Sequence, residues 1–199
     1  MRVNERAFRA QGGKRSHSMK SKGLSVRVAN VVATADLGQR IDLRIVGEIE
    51  GGLYMLEKYP CAYLKRPPMH GRVTVFGSGK LISVGNKSVS AARRDLHEVA
   101  RILEQECGLK KVKFKIRVQN IVAMLDLQQH LNLANLNIAI PDTTYMPEVF
   151  PALIWKPSDL PATLLVFGSG KIVAPVKRMT DVRQLGDFVK HRIGSKGSP

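Results

Sequence analysis

The residues best suited to chemistry in this 199-residue chain occur twice, as Phe76-Gly77-Ser78-Gly79-Lys80 and Phe167-Gly168-Ser169-Gly170-Lys171. A glycine-rich turn followed by lysine could cradle a phosphate with its backbone N–H groups and neutralise it with its cation. Nucleotide hydrolysis would need more. The loop is shorter than GxxxxGK[ST], and Leu81 or Ile172 stands where a hydroxyl would hold Mg²⁺. None of His17, His70, His97, His130 and His191 has a counterpart in the other copy, and no Ser/His/Asp or paired-carboxylate set recurs. The residues therefore point to a binding protein, not an enzyme, with no cofactor. Cys61 and Cys107 are too few for a disulfide framework or a zinc site, and read as two core thiols in a reducing compartment.

The duplication extends beyond the turn. Val28–Leu37 aligns with Val118–Leu127 at an offset of 90 positions, and Tyr59–Lys65 aligns with Phe150–Lys156 at an offset of 91. A unit repeated twice at this length is no solenoid. It predicts two fused halves about a pseudo-two-fold axis, with a quasi-symmetric surface suited to a quasi-symmetric ligand. The expected boundaries are a flexible basic tail over 1–23, a first repeat over 24–112 and a second over 113–199. A net charge of +16 steers the chain toward phosphate backbones. No apolar run approaches the roughly 18 residues of a membrane span and no signal peptide opens the chain, so nucleic acid is the better partner.

The elements that must position the turn follow from periodicity. A β-branched strand from Leu24 ends near Asp36, and a short helix spans 41–49. Strands over 60–66, 72–76 and 80–85 follow, the last two joined by the Gly77-Ser78-Gly79 turn. A helix from Ser88 to Gln105 carries a stripe of Val89, Ala92, Leu96, Val99 and Leu103, with Ser88 as N-cap and Gly108 as its stop. The second half repeats the order with strand 113–123, helix 131–138, strands 150–156, 162–167 and 171–176, and a helix after Thr180 with Val182, Leu185, Phe188 or Val189, and Ile193 inward. Merging the halves gives an α+β fold, one antiparallel sheet with helices on a single face.

That architecture leaves a difficulty. Val31 and Ala33 can face the helices, but Val28, Asn30 and Val32 then face the other way, as do Val118, Asn120 and Val122, Thr74 with Phe76, and Leu165 with Phe167. One sheet face is mostly apolar, carries two symmetric asparagines and has no helices left to cover it. An uncovered face of this kind marks an interaction surface. The minor groove of A·T-rich double-stranded DNA suits it, because its floor offers acceptors and lacks the guanine amino group.

With the repeated N-x-V, the FP-x-x-x-x-K pattern and F-x-SGK in the same order in both halves, the chain resembles the TATA-box-binding protein family over about 24–193. The resemblance implies a saddle-shaped sheet with helices on its convex face, and a general transcription initiation factor that binds promoter DNA in the minor groove. It implies that Asn30 and Asn120 donate to base acceptors near the dyad, and that Val32, Val122, Ile82 and Val173 form the apolar floor. Phe76, Phe167 and Phe150, followed by Pro151, match wedge positions that insert between base steps, while the fourth such position is Tyr59. Lys65, Lys80, Lys87, Lys156, Lys171 and Arg178 match basic positions flanking the groove.

Three departures bear on specificity. Val84 and Pro175 stand where the family has threonines near the asparagines, and Thr74 stands where a larger aliphatic residue is common. Pro175 also predicts a strand edge or an early strand end. On the helical side, Arg93, Arg94 and Arg101 read either as a solvated face or as a surface for other general transcription factors. Glu148 falls where the resemblance implies contact with a transcription factor IIB-like partner. A related factor with weak TATA specificity, acting mainly as a protein platform, stays open at this level. The high charge and basic tail favour a nucleus, with the archaeal cytoplasm or nucleoid as the alternative.

Overall fold

A computed structural model describes residues 24–56 and 58–193. The expected tail over 1–23 lies outside the described residues. The first half runs β1 (Val26–Asp36), α1 (Leu43–Glu48), β2 (Gly52–Tyr54), β3 (Cys61–Leu64), β4 (Arg72–Phe76), β5 (Lys80–Asn86) and α2 (Val89–Glu106). The second runs β6 (Arg117–Asp126), α3 (Leu133–Ala139), β7 (Thr143–Thr144), β8 (Ala152–Trp155), β9 (Leu164–Phe167), β10 (Lys171–Val176) and α4 (Met179–Ile193). All ten strands join one antiparallel sheet in the order β2-β3-β4-β5-β1-β6-β10-β9-β8-β7, which maps onto itself when the halves are exchanged.

The helices all sit on one face, where they cover the side chains of one parity in each strand and leave the other parity open. Val31, Ala33, Val73, Val75, Leu164, Ile172 and Ala174 are fully buried there against Leu96, Val99, Leu103, Leu185 and Val189. Ser88 Oγ accepts the Ala91 N–H at 3.1 Å to start α2, and Gly108, at φ +67°, follows its end. In α4 it is Val189 that is fully buried, while Phe188 lies half-buried with its ring 5.1 Å from that of Trp155. Gly186 lets α4 lie close on the sheet, since a Cβ there would stand 2.8 Å from Val26 Cγ2. No helix among the described residues is long and apolar enough to cross a membrane.

Four details differ from the sequence expectation. The edge strands β2 and β7 were not anticipated, because three and two residues carry no period of their own and are held by β3 and β8. The strand expected from 113 begins at Arg117, because Phe114 leaves the sheet to lay its ring 5.0 Å from His97 of α2.

Val28 and Val118 pack against the helix-side core, not on the opposite face. A β-bulge precedes each asparagine: Val28 pairs with Ala123 and Asn30 with Val122, leaving Ala29 extra, and Val32 pairs with Asn120 and Ala33 with Val118, leaving Gln119 extra. One added residue inverts the parity of everything before it, so each valine turns inward while each asparagine stays outward. Finally, Cys61 is buried but lies on the face away from the helices, opposite Phe76, and so is no part of the helix-side core.

The repeated glycine turn proves structural. Gly79 and Gly170 adopt φ +94° and +82°, and a Cβ on either would fall 2.3 Å or 2.2 Å from the backbone oxygen of Gln39 or Gln129. Gly79 N–H donates to Phe76 O and Gly170 N–H to Phe167 O, both at 2.9 Å. The carbonyls of Gly79 and Gly170 accept from Leu37 and Leu127 at 3.0 Å, clamping each turn to the end of the central strand.

Candidate nucleic-acid interface

The central strands β1 and β6 bring the two asparagines together. Asn30 stands opposite Val122 and Asn120 opposite Val32, so amide and valine alternate diagonally across the seam. Asn30 Oδ1 accepts the Gly85 N–H at 2.8 Å. Its carbonyl is thus occupied, and its NH₂ remains to donate. Gly85 can serve because β5 bulges there, at φ +86°.

Two cross-strand rows flank this centre. Register places Tyr63, Thr74, Ile82, Thr34 and Arg117 in line across β3, β4, β5, β1 and β6. The matching row is Ile154, Leu165, Val173, Met124 and Arg27. All of these face away from the helices. Each row has an apolar or hydroxyl-bearing middle and ends in an arginine on the other half's central strand, Arg117 on β6 and Arg27 on β1. The Thr34 hydroxyl oxygen accepts from Gln119 Nε2 at 2.7 Å.

At the second-half end, Phe150 and Phe167 form an edge-to-face pair with ring centroids 6.4 Å apart, beside the exposed Pro151. At the first-half end Tyr59 instead packs edge-on to Tyr63 at 6.2 Å, and Phe76 lies half-buried at the end of β4. Lys65, Lys80, Lys87, Lys156 and Lys171 are exposed. Arg178 is exposed too, but its Nη2 lies 3.0 Å from Asp181 Oδ1. Burial pushes the Asp181 carboxyl up, and the hydrogen bonds and charge of Arg178 outweigh this to hold it below the usual carboxylate range.

Pro175 remains inside β10, opposite Val122, so the strand does not end early. Its pairing with β9 does, at Val173–Leu165, whereas the equivalent β4–β5 ladder continues to Arg72–Val84. A residue without an N–H cannot extend that ladder. Beside it opens a depression of about 1010 Å³ lined by residues including Asn120, Lys156, Thr163, Pro175 and Arg178.

On the helical side Arg93 and Arg94 are exposed on α2, while Arg101 forks between Glu98 and Gln105. Glu148 is exposed in the β7–β8 connection. Tyr63, Arg72, Arg27, Arg117, Thr34, Met124 and Ile154 escaped the sequence reading. For Arg72 the signal was available, since counting by two from Phe76 through Thr74 reaches it.

With this geometry in hand, the model of the family described as transcription factor TFIID, or TATA-binding protein, matches residues 25–106 and again 115–190. The chain belongs to the TATA-binding protein family. Among curated relatives, the TATA-box-binding protein of Methanosphaera stadtmanae is 35% identical over 82% of this chain and 90% of its own length. That of Cenarchaeum symbiosum is 36% identical over 86% of this chain and 96% of its own. The solved Methanococcus jannaschii TBP superposes with a TM-score of 0.71 at 29% identity, covering 85% of this family member and 98% of that chain. The saddle expected from the resemblance is thus this family member's fold.

Proposed function

We propose that this family member binds A·T-rich promoter DNA in the minor groove through the open sheet face and nucleates assembly of the transcription initiation machinery. The observation that carries this is the pair of asparagines facing out across the β1–β6 seam, set among valines in a sheet whose strand ends carry exposed lysines. Asn30 and Asn120 donate to base acceptors. Val32, Val122, Ile82 and Val173 form a floor against which a guanine amino group would lose its hydration without gaining a partner. Phe76, Phe167, Phe150 and Tyr59 wedge between base steps at the two ends, with Pro151 beside the second. Lys65, Lys80, Lys87, Lys156, Lys171 and the outer side of Arg178 line the phosphates.

The exposed Glu148 suits contact with a factor IIB-like partner, and Arg93 and Arg94 suit acidic surfaces of other factors; Arg101, already paired, contributes less. The relatives named above are archaeal, so a nucleoid location fits better than the nucleus suggested by charge. Their naming also favours promoter binding over a platform that has lost it.

The test is a titration into an end-labelled A·T-rich duplex beside a G·C-rich one at two salt concentrations. The expected result is at least tenfold tighter binding to the first, about 1.4 kcal/mol, with its ends drawn together. Equal affinities with a steep salt slope and no bend would reduce the face to a non-specific phosphate binder.

A further inference from the structure

Arg72 and Tyr63 make a feature on the open face that has no equivalent in the other half. Arg72 lies on the open side of β4, since its neighbours Val73 and Val75 are fully buried beneath the helices. Its guanidinium carbon stands 4.4 Å from the centroid of the Tyr63 ring, which also holds Tyr59 edge-on. At the corresponding positions of the second half stand Thr163 and Ile154. Thr163 lines the depression of about 1010 Å³ beside Pro175, so where one half has a hollow the other has a planar cation next to Val84.

A side-chain hydrogen bond with Cys61 and desolvation raise the Tyr63 pKa above its usual value despite Arg72, and the ring beside the guanidinium is neutral at neutral pH as an ordinary tyrosine is. Stacking on a neutral ring orders the guanidinium without neutralising it, so its N–H donors are presented to whatever covers the sheet. The minor groove over A·T pairs is lined only by acceptors and carries a strong negative potential. The guanidinium meets both demands.

Resting on the function proposed above, we propose that Arg72, oriented by Tyr63, is an additional DNA-contacting residue confined to the first half. It donates into the minor groove and so sets the direction in which the quasi-symmetric sheet sits on an A·T-rich site. The contribution is one-sided, because Thr163 and Ile154 offer no cation. Direction therefore follows from a difference between the halves and needs no second protein.

The test uses the full chain with Lys58→Cys, an exposed position beside Tyr59, in a Cys107→Ser background. The new thiol carries a hydroxyl-radical-generating iron chelate. The probe is a duplex with one TATA-like box and unlike flanks, and the readouts are affinity, the ratio of strand cleavage at the two ends, and the unfolding temperature. The parent should cleave mainly at one end. Arg72→Thr should bind roughly tenfold more weakly and cleave the two ends more evenly, at an unchanged unfolding temperature. Arg72→Lys should recover part of both losses, and Tyr63→Ile should shift both readouts the same way by less.

If Arg72→Thr matches the parent in affinity and cleavage ratio while the parent still prefers A·T-rich DNA, the Arg72 contact is wrong and the minor-groove function stands. Even cleavage by the parent would refute the directional role. A parent that does not distinguish A·T-rich from G·C-rich duplexes would overturn both proposals together.

Discussion

Across the first half the row Tyr63, Thr74, Ile82, Thr34 presents three hydroxyls, whereas the matching row Ile154, Leu165, Val173, Met124 presents none. The same contrast runs beneath the sheet. In the first half the buried carboxylate of Asp95 accepts from Gly71 N at 2.7 Å, His70 N at 3.2 Å and Asn86 Nδ2 at 2.9 Å, and Asn86 also reaches Ser83 Oγ at 3.0 Å. In the second half those positions are Gly186, Lys177 and Ala174, and the buried carboxylate is instead Asp181, paired with the exposed Arg178. A duplicated backbone thus tolerates two ways of finishing each half, provided that the alternation of buried and open positions and the glycine turns are kept. The polar half gains directional hydrogen bonds. The apolar half gains a surface closer to a featureless groove floor.

The wedges offer the largest test of that contrast. Phe150 and Phe167 already touch, so Phe167→Ala removes half of a formed pair and should weaken binding to an A·T-rich duplex by about 3 kcal/mol, roughly a hundredfold. Tyr59→Phe, by contrast, should tighten binding and increase the bend, since it removes a hydroxyl from an unstacked step. Equal losses from Phe167→Ala and Tyr59→Ala in the same energy-transfer titration would erase the distinction.

Next in size is the buried network. Asp95→Ala strands two backbone N–H groups and one N–H of the Asn86 amide, and should lower stability by about 2–3 kcal/mol in urea unfolding. Unfolding at the parent's midpoint would mean that the first half does not depend on its polar interior.

Smaller effects come from the two missing hydroxyls. Val84→Thr should improve affinity for the A·T-rich duplex by about 1 kcal/mol. Pro175→Thr should do the same while returning an N–H to β10, and amide exchange would show whether the β9 ladder then lengthens. Smallest is a pH effect. The depressed Asp181 pKa contributes stability that is present above the unfolded carboxylate pKa and is lost as pH falls through the folded value. Arg178→Met should make that loss begin at higher pH, seen as an earlier fall of the unfolding temperature on acidification.

Much of this was legible in the residues. The alternation that buries Val73 and Val75 and exposes Thr74 and Phe76, the stripe of α2, and the doubled glycine turn are local patterns, and local patterns survive in a one-dimensional string. Two signals misled for the same reason. Val28 and Val118 were assigned to the wrong face because a bulge is a property of a strand pair, and neither strand announces which residue its partner will skip. Cys61 reads as a core thiol in the sequence, but its burial comes from the open face, where it stands opposite Phe76 on the partner strand.

The sequence by itself determined the duplicated frame, the basic charge, the outward asparagines and the family to which they belong. Repetition and periodicity are carried by residue identity alone. Only the tertiary structure decided that Asn30 spends its carbonyl on Gly85, that Tyr59 leans on Tyr63 while Phe150 meets Phe167, that Arg178 is drawn to Asp181, and that Arg72 lies over an aromatic ring. Each of these joins residues whose separation along the chain says nothing about their distance in space, and that distance is set by sheet register and by competition among neighbours for the same partner.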